Sequence, residues 1–156
     1  MQASSRLLIV SGGQTGVDRA ALDVALALGL TCGGWVPRGR RAEDGPVADR
    51  YPMREAASRA YGRRTLLNIR DSDATLVLSQ GAPMGGTALT AQYARRLGKP
   101  LFLVDLAEAP PTAVVRDWLA RHRVNVLNVA GPRESGCPGI YAAASTYLAA
   151  LLRDDN

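Results

Sequence analysis

The chain carries three glycine-rich turns, and each one leaves a hydrophobic run and opens an amphipathic segment. The first glycine turn spans residues 11–19 (SGGQTGVDR), the second spans residues 81–88 (GAPMGGTA) and the third spans residues 130–136 (AGPRESG). A strand–turn–helix order directs backbone N–H groups and the positive end of a helix toward one spot, which suits phosphate or another oxyanion. Three such turns can converge at the carboxyl edge of a parallel sheet. The alternative is three unrelated tight turns, because glycines also end strands for structural reasons.

Strand-like and helix-like segments alternate along the whole chain. Hydrophobic runs predict strands at residues 7–10, 30–36, 74–79, 101–104 and 124–129. Helical spacing of apolar residues predicts helices at residues 17–28, 56–69, 87–97, 111–122 and 141–152. We therefore expect one domain, residues 1–156, with an α/β fold. It should be a doubly wound, Rossmann-like parallel sheet of about five strands in the order 2-1-3-4-5, with helices on both faces.

The net charge indicates which class of partner the protein binds, and the cysteine content indicates its cellular compartment. The net charge is +5, from 19 Lys and Arg against 14 Asp and Glu, but no basic run exceeds two residues. This favours a small anionic ligand and makes a nucleic-acid partner a poor interpretation. Two distant cysteines, Cys32 and Cys137, predict a cytoplasmic protein without a disulfide framework. No apolar stretch of about 18 residues exists, so we expect no membrane segment.

The first glycine turn supplies the largest group of candidate ligand-binding residues. It lacks the GK[ST] ending of a Walker A loop and does not match GxGxxG, which argues against an ATPase or an ordinary dehydrogenase. Asp18 lies where the first turn of the helix should be, so it either contacts the ligand or complements the helix dipole, which is worth about 0.3–1 kcal/mol. The candidates are Gly12, Gly13, Gln14, Thr15 and Asp18.

Residues 37–52 form a loop too long and polar for a simple connection, and such loops are usually functional or disordered. Arginines at three positions could grip phosphate oxygens: Arg38, Arg40 and Arg41. Glu43 and Asp44 are candidate acids, metal ligands or hydroxyl acceptors. The alternative is a solvated loop with ion pairs that contribute little. We expect this loop to border the ligand site and to be more mobile without ligand.

The second and third turns add further candidates. Gly85 and Gly86 precede Thr87, which we predict to be a helix N-cap and a phosphate donor. In the third turn, Arg133 is placed to reach the ligand and Ser135 to cap a helix. No catalytic triad or zinc pattern is present, so no metal site is expected.

Five segments of this sequence together resemble the molybdenum-cofactor carrier proteins, the circularly permuted YpsA-like branch of the SLOG or lysine-decarboxylase-like superfamily. The segments are residues 11–22, 34–45, 68–73, 85–90 and 128–135. The resemblance implies a Rossmann-like fold, a homo-oligomer and a phosphate-bearing small-molecule ligand. In the carriers that ligand is molybdenum cofactor, a pterin with a terminal phosphate and an oxo-molybdenum dithiolene.

The resemblance leaves the question of turnover open. Related lysine-decarboxylase-like enzymes cleave nucleoside monophosphates and use a PGGxGTxxE motif with a catalytic glutamate. The corresponding residues here, 84–91 (MGGTALTA), keep Gly85, Gly86 and Thr87 but lack the proline, the second glycine and the glutamate.

We therefore expect a binding or carrier protein without a catalytic residue. The alternatives are an enzyme acting on a nucleotide or its derivative, with Asp18, Glu43 or Asp44 as acid–base groups, and a nucleotide-sensing module.

Overall fold

A computed structural model describes residues 7–153 of the chain. The strands are β1 (Leu8–Val10), β2 (Cys32–Gly33), β3 (Trp35–Val36), β4 (Arg54–Glu55), β5 (Ala74–Ser79), β6 (Leu101–Asp105) and β7 (Val126–Ala130). The α-helices are α1 (Val17–Ala27), α2 (Tyr61–Arg70), α3 (Gly85–Arg96), α4 (Thr112–Arg121) and α5 (Ile140–Leu152). Two 3₁₀ turns span Leu106–Glu108 and Glu134–Gly136. The predicted alternation and the predicted α/β class are confirmed.

The main sheet has five parallel strands in the order β2-β1-β7-β5-β6. The predicted order was wrong, because the last strand of the chain lies between β1 and β5 and not at the edge of the sheet. β7 pairs with β1 through Leu127 and Ile9 and with β5 through Asn128 and Thr75. It has the burial of a central strand, whereas β6 at the edge leaves Leu103 exposed.

This strand order has a direct consequence for the three glycine turns. They follow β1, β7 and β5, which are three adjacent strands of one sheet. Because all strands are parallel, the three turns leave the sheet at the same edge. The predicted order would have placed the third turn at the far side of the sheet from the first.

The two faces of the sheet carry different side chains, because successive residues of a strand point to opposite faces. Leu76, Leu78, Leu127 and Val129 join the main core cluster with residues of α1, α4 and α5. The alternate residues, which include Ser79 and Asn128, face the side on which α2 and α3 pack together. Helices therefore cover both faces of the sheet, as predicted.

Two boundaries differ from the prediction because of a second, small sheet. The expected second strand divides at Gly34, whose φ is 125°, so that β3 leaves the main sheet and pairs in parallel with β4. The expected helix at residues 56–69 begins only at Tyr61. Its first residues stay extended, because the N–H of Ala56 donates to the carbonyl of Val36 at 2.8 Å.

The first and third turns approach one another closely through glycines. A Cβ on Gly16 would overlap the carbonyl oxygen of Pro132, and one on Gly131 would overlap Val17 and the carbonyl of Leu78. The N–H of Val17 donates to the Pro132 carbonyl at 3.2 Å. These glycines are therefore required by packing between backbones.

The third turn offers a matched pair of substitutions. We expect Gly131→Ala to lower the free energy of unfolding by about 1–3 kcal/mol, because the added methyl group overpacks a rigid backbone contact. Gly136→Ala is the control, since its Cβ would only approach Arg133 at 3.6 Å. Urea unfolding of both variants measures the difference. Equal stability of the two variants would contradict the packing role of Gly131.

Candidate functional site

The three glycine turns surround one cavity of about 570 Å³ at the carboxyl edge of the sheet. This volume is in the range of small-molecule sites. Its walls include Gly12 from the first turn, Gly86 from the second and Gly131 from the third. Helix α2 contributes Arg64, and Asn128 contributes from β7. The structure thus brings the turns together, as the sequence analysis expects.

The second turn presents an open helix N-terminus to this cavity. Helix α3 begins at Gly85, and its N-cap residue Met84 has no side-chain hydrogen bond to the first turn of the helix. The N–H of Thr87 already donates to the Met84 carbonyl at 3.1 Å. The N–H groups of Gly85 and Gly86 precede this first bond and have no acceptor among residues 7–153, so they are available to a ligand. A Cβ on Gly86 would meet nothing within 4 Å, and its φ does not require glycine. Neither packing nor backbone conformation explains the glycine at this position.

The first turn, in contrast, holds a carboxylate of its own. Asp18 is 6% exposed, and its Oδ2 accepts the N–H of Gln14 at 3.3 Å. Nη2 of Arg64 lies 3.7 Å from the same oxygen, and the Arg64 side chain is also buried. Burial raises the pKa of Asp18 to about 6, more than the attraction of Arg64 lowers it. Desolvation likewise lowers the pKa of Arg64, against the attraction of Asp18.

The side-chain amide of Gln14 has a fixed orientation, and its nitrogen is an unpartnered hydrogen-bond donor within residues 7–153. Its Oε1 accepts the N–H of Glu43 at 2.8 Å and the N–H of Thr15 at 3.1 Å, which defines the direction of the amide. Its Nε2 is buried and has no hydrogen-bond partner among residues 7–153, and the same holds for Nε of Arg64. Unpartnered buried donors are rare in proteins. Gln14 and Arg64 both line the cavity, so their unpartnered donors lie at its wall, where a ligand with acceptor atoms would be favoured.

Three guanidinium groups surround the ring of Tyr61, which lines the cavity. Their carbon atoms lie 4.5 Å from the ring centroid for Arg41, 5.3 Å for Arg133 and 5.4 Å for Arg64. Such cation–π contacts contribute about 0.5–2 kcal/mol each and hold the cations near the ring. They give this side of the cavity positive character.

Glu43 links the first and third turns from outside the cavity. It accepts hydrogen bonds from the Thr15 hydroxyl, from Oγ of Ser135 at 2.5 Å and from the Ser135 N–H at 3.2 Å. Arg133 lies 3.9 Å from the same carboxylate. The hydrogen bonds from Ser135 and Thr15 lower the pKa of Glu43. This carboxylate therefore has a place in holding the turns together.

Asp44 and Arg40 are engaged within the same framework. Asp44 receives two hydrogen bonds from Arg19, at 3.0 and 3.1 Å, which lower the pKa of Asp44. Arg19 also donates to the carbonyl of Gly13. The guanidinium of Arg40 donates to loop carbonyls, including that of Val47 at 2.8 Å. Arg38 is exposed. Within residues 7–153, no residue of the loop 37–52 lines the cavity. The loop contacts residues that do line it, as Arg41 contacts the ring of Tyr61.

Two predicted helix caps are wrong. Thr87 is the third residue of α3, because the helix begins two residues earlier at Gly85. Ser135 lies inside a 3₁₀ turn, and the N-cap residue of α5 is Gly139 in the left-handed conformation. Thr87 still lines the cavity, whereas Ser135 serves Glu43.

Sequence reasoning missed the cavity residues that come from α2 and from the sheet itself. Arg64 and Tyr61 lie in a segment that reads as an ordinary amphipathic helix, and Ser79 and Asn128 read as strand residues. Only the tertiary structure shows that Gly12 makes room for Arg64, whose guanidinium occupies the space a Cβ would need.

The comparisons with known proteins agree with this architecture. Residues 9–152 match the model of the circularly permutated YpsA SLOG family. The chain belongs to this family. It is also similar to a crystal structure of a protein from Syntrophus aciditrophicus SB, named putative molybdenum carrier protein. The identity is 41%, 96% of each chain is covered and the TM-score is 0.93. Among curated proteins, none matches the chain.

Residues 7–153 show neither a membrane-spanning helix nor a cluster of metal-ligating side chains. None of the helices in this range has the length and apolar character needed to cross a bilayer. The same residues contain no group of three or more His, Cys, Asp or Glu side chains placed to hold a metal ion.

The raised pKa of Asp18 predicts that the free energy of unfolding depends on pH. The folded state holds this proton more tightly than the unfolded chain, so protonated Asp18 favours folding, and that advantage is lost as the pH rises from 4 to 6. Asp18→Asn, which imitates the protonated acid, should therefore be more stable than wild type at pH 7.5, by on the order of 2 kcal/mol. The difference should vanish below pH 4.

Thermal and urea unfolding across this pH range measure the difference. Asp117→Asn is the control for loss of a carboxylate, because Asp117 is exposed on α4. A less stable Asp18→Asn at pH 7.5 would mean that the Asp18–Arg64 attraction outweighs the cost of burial.

Proposed function

We propose that this protein binds and carries a phosphate-bearing small molecule in the cavity between the glycine turns, with molybdenum cofactor as the ligand. The observation that carries the proposal is the open N-terminus of α3 at Gly86, which lines the same cavity as Gln14 and Arg64. Buried donors on these two side chains have no acceptor among residues 7–153. A similar crystal structure, 41% identical, is named putative molybdenum carrier protein.

The terminal phosphate would lie at the N-terminus of α3. Backbone N–H groups and the helix dipole there favour an anion, and the glycines permit its oxygen atoms to approach the backbone. Arg133 at the same cavity supplies positive charge. Of the three glycine turns, the second is the one whose glycines face open space at 85 and 86.

The chemistry of molybdenum cofactor fits the remaining walls. The ligand carries its own dithiolene sulfur atoms for the metal, so a carrier does not have to supply metal ligands from the protein. The pterin needs a polar surface with donors and acceptors, which Gln14, Asp18 and Arg64 offer. A cytoplasmic location and assembly into a homo-oligomer, which the family resemblance implies, are part of this proposal. Sedimentation at several concentrations tests the assembly.

Gly86→Ala tests the anion site directly. The methyl group would occupy the space at the open helix end, and we expect ligand retention to fall by about tenfold or more. Stability should be unchanged or higher by about 0.5–1 kcal/mol, because alanine favours the helix. The measurement is anaerobic purification from a host that makes molybdenum cofactor, followed by quantification of bound molybdenum and of the oxidised pterin.

The control is Thr146→Ala, at an exposed position of another helix, α5, away from the residues that line the cavity. Alanine favours the helix there as well. It separates the effect on helix stability from the effect at α3. Retention of pterin by Gly86→Ala at the wild-type level would contradict the proposed phosphate position, and its absence from wild type would contradict the ligand.

A second candidate function is an enzyme acting on a nucleotide or nucleotide derivative. The observation in its favour is Asp18, a cavity carboxyl with a pKa of about 6, which is suited to general acid–base catalysis. Glu43 and Asp44, the other two candidates, do not line the cavity and are already paired with Ser135 and Arg19.

The two functions differ in what Asp18→Asn does to turnover. If the chain is a carrier, wild type should leave AMP-like, cytokinin-like and ADP-ribose-like compounds unchanged, as judged by chromatography of the products. If it is an enzyme, wild type should turn one of them over, and Asp18→Asn should lower the rate by about 10²–10⁴-fold. Steady turnover that collapses in this variant would overturn the carrier function.

A further inference from the structure

We propose that Gln14, Asp18 and Arg64 form a subsite for one ligand edge, a cyclic amide with an adjacent amino group. Pterins and guanine carry this 2-amino-lactam edge. The inference rests on the proposed function, because it places the ring of the same phosphate-bearing ligand.

The free hydrogen-bonding atoms of these residues form a mixed pattern. Oδ2 of Asp18 is taken by the N–H of Gln14 and by Arg64. Among residues 7–153, none donates a hydrogen bond to Oδ1, which leaves one carboxylate oxygen for the ligand. Nε2 of Gln14 and Nε of Arg64 are buried donors to which the described part of the chain offers no acceptor. The subsite thus offers an acceptor next to donors.

A 2-amino-lactam has the complementary pattern. Its ring N–H and its amino group are neighbouring donors, which suit a carboxylate oxygen, and its carbonyl is an acceptor for an amide or guanidinium donor. Adenine places an unprotonated ring nitrogen beside its amino group, so it would set an acceptor against Asp18. Buried polar groups left unpaired in this way are a strong source of discrimination.

The fixed geometry of the subsite strengthens the selection. Oε1 of Gln14 is held by two backbone N–H groups, of Thr15 and Glu43, so the amide cannot turn to exchange its donor for an acceptor. Asp18 is held at the N-terminus of α1 by the N–H of Gln14. Neither residue can adapt to an edge of the opposite pattern without losing these bonds.

Calorimetric titration at pH 7.5 tests the subsite with five probes: inorganic pyrophosphate, AMP, IMP, GMP and a pterin with a phosphate ester on its 6-substituent. We expect GMP and the pterin phosphate to bind about 10- to 100-fold more tightly than AMP, as for a hydrogen bond to a charged group. The affinity for IMP, which lacks the amino group, should lie between the affinities for GMP and AMP. Asp18→Asn should reduce the preference for GMP over AMP to less than threefold, and it should still bind pyrophosphate at least as tightly as wild type, because the substitution removes a negative charge from the cavity.

Two controls keep the result decisive. Asp117→Asn on α4 should behave as wild type. Gln14→Glu replaces the donor Nε2 by an acceptor and should also remove the preference, so the test does not depend on one variant folding. Equal binding of GMP and AMP by wild type, or a preference that persists in folded Asp18→Asn, would overturn the subsite while pyrophosphate binding upheld the anion site. Failure of all five probes to bind would overturn the proposed function and this inference with it.

Discussion

The close backbone contact between the first and third glycine turns is the constraint on which the site depends. Gly16 lies against the Pro132 carbonyl, and a side chain at either Gly16 or Gly131 would force the two turns apart. This contact is possible because β7 lies directly beside β1. Glu43 then secures the contact, since it accepts hydrogen bonds from both turns.

The three turns are similar in sequence but have different roles in the structure. The first and third are packed against each other, and the first carries Asp18 at the helix end where an anion could otherwise bind. The second turn has no such carboxylate, and its helix end is open. The cavity is therefore lined both by the open N-terminus of α3 and by the polar side chains of Asp18, Arg64 and Gln14. That combination fits a ligand that carries both a phosphate and a polar ring.

Local patterns predicted the elements well and the topology less well. β5 was predicted at its observed bounds because Ala74–Ser79 is an unbroken run buried along its length. The place of β7 was not predictable from such runs, because strand order depends on which strand pairs with which edge. The place of Arg64 in the cavity was not predictable for a similar reason, because its burial depends on Gly12, which is distant in sequence. The arginines of the loop at 38 and 40 looked like ligand residues, yet Arg40 serves the carbonyls of its own loop.

Amide NMR locates the anion by observing the backbone N–H groups of each glycine turn, and so distinguishes binding at the second turn from binding at the first or third. Inorganic pyrophosphate is titrated into ¹⁵N-labelled protein, and the backbone resonances of the three turns are followed. If the anion binds at the second turn, the largest saturable shifts should occur at Gly85, Gly86 and Thr87, with smaller changes at Thr15 and Ser135. Shifts centred on residues 12–15, with Gly86 unaffected, would contradict it.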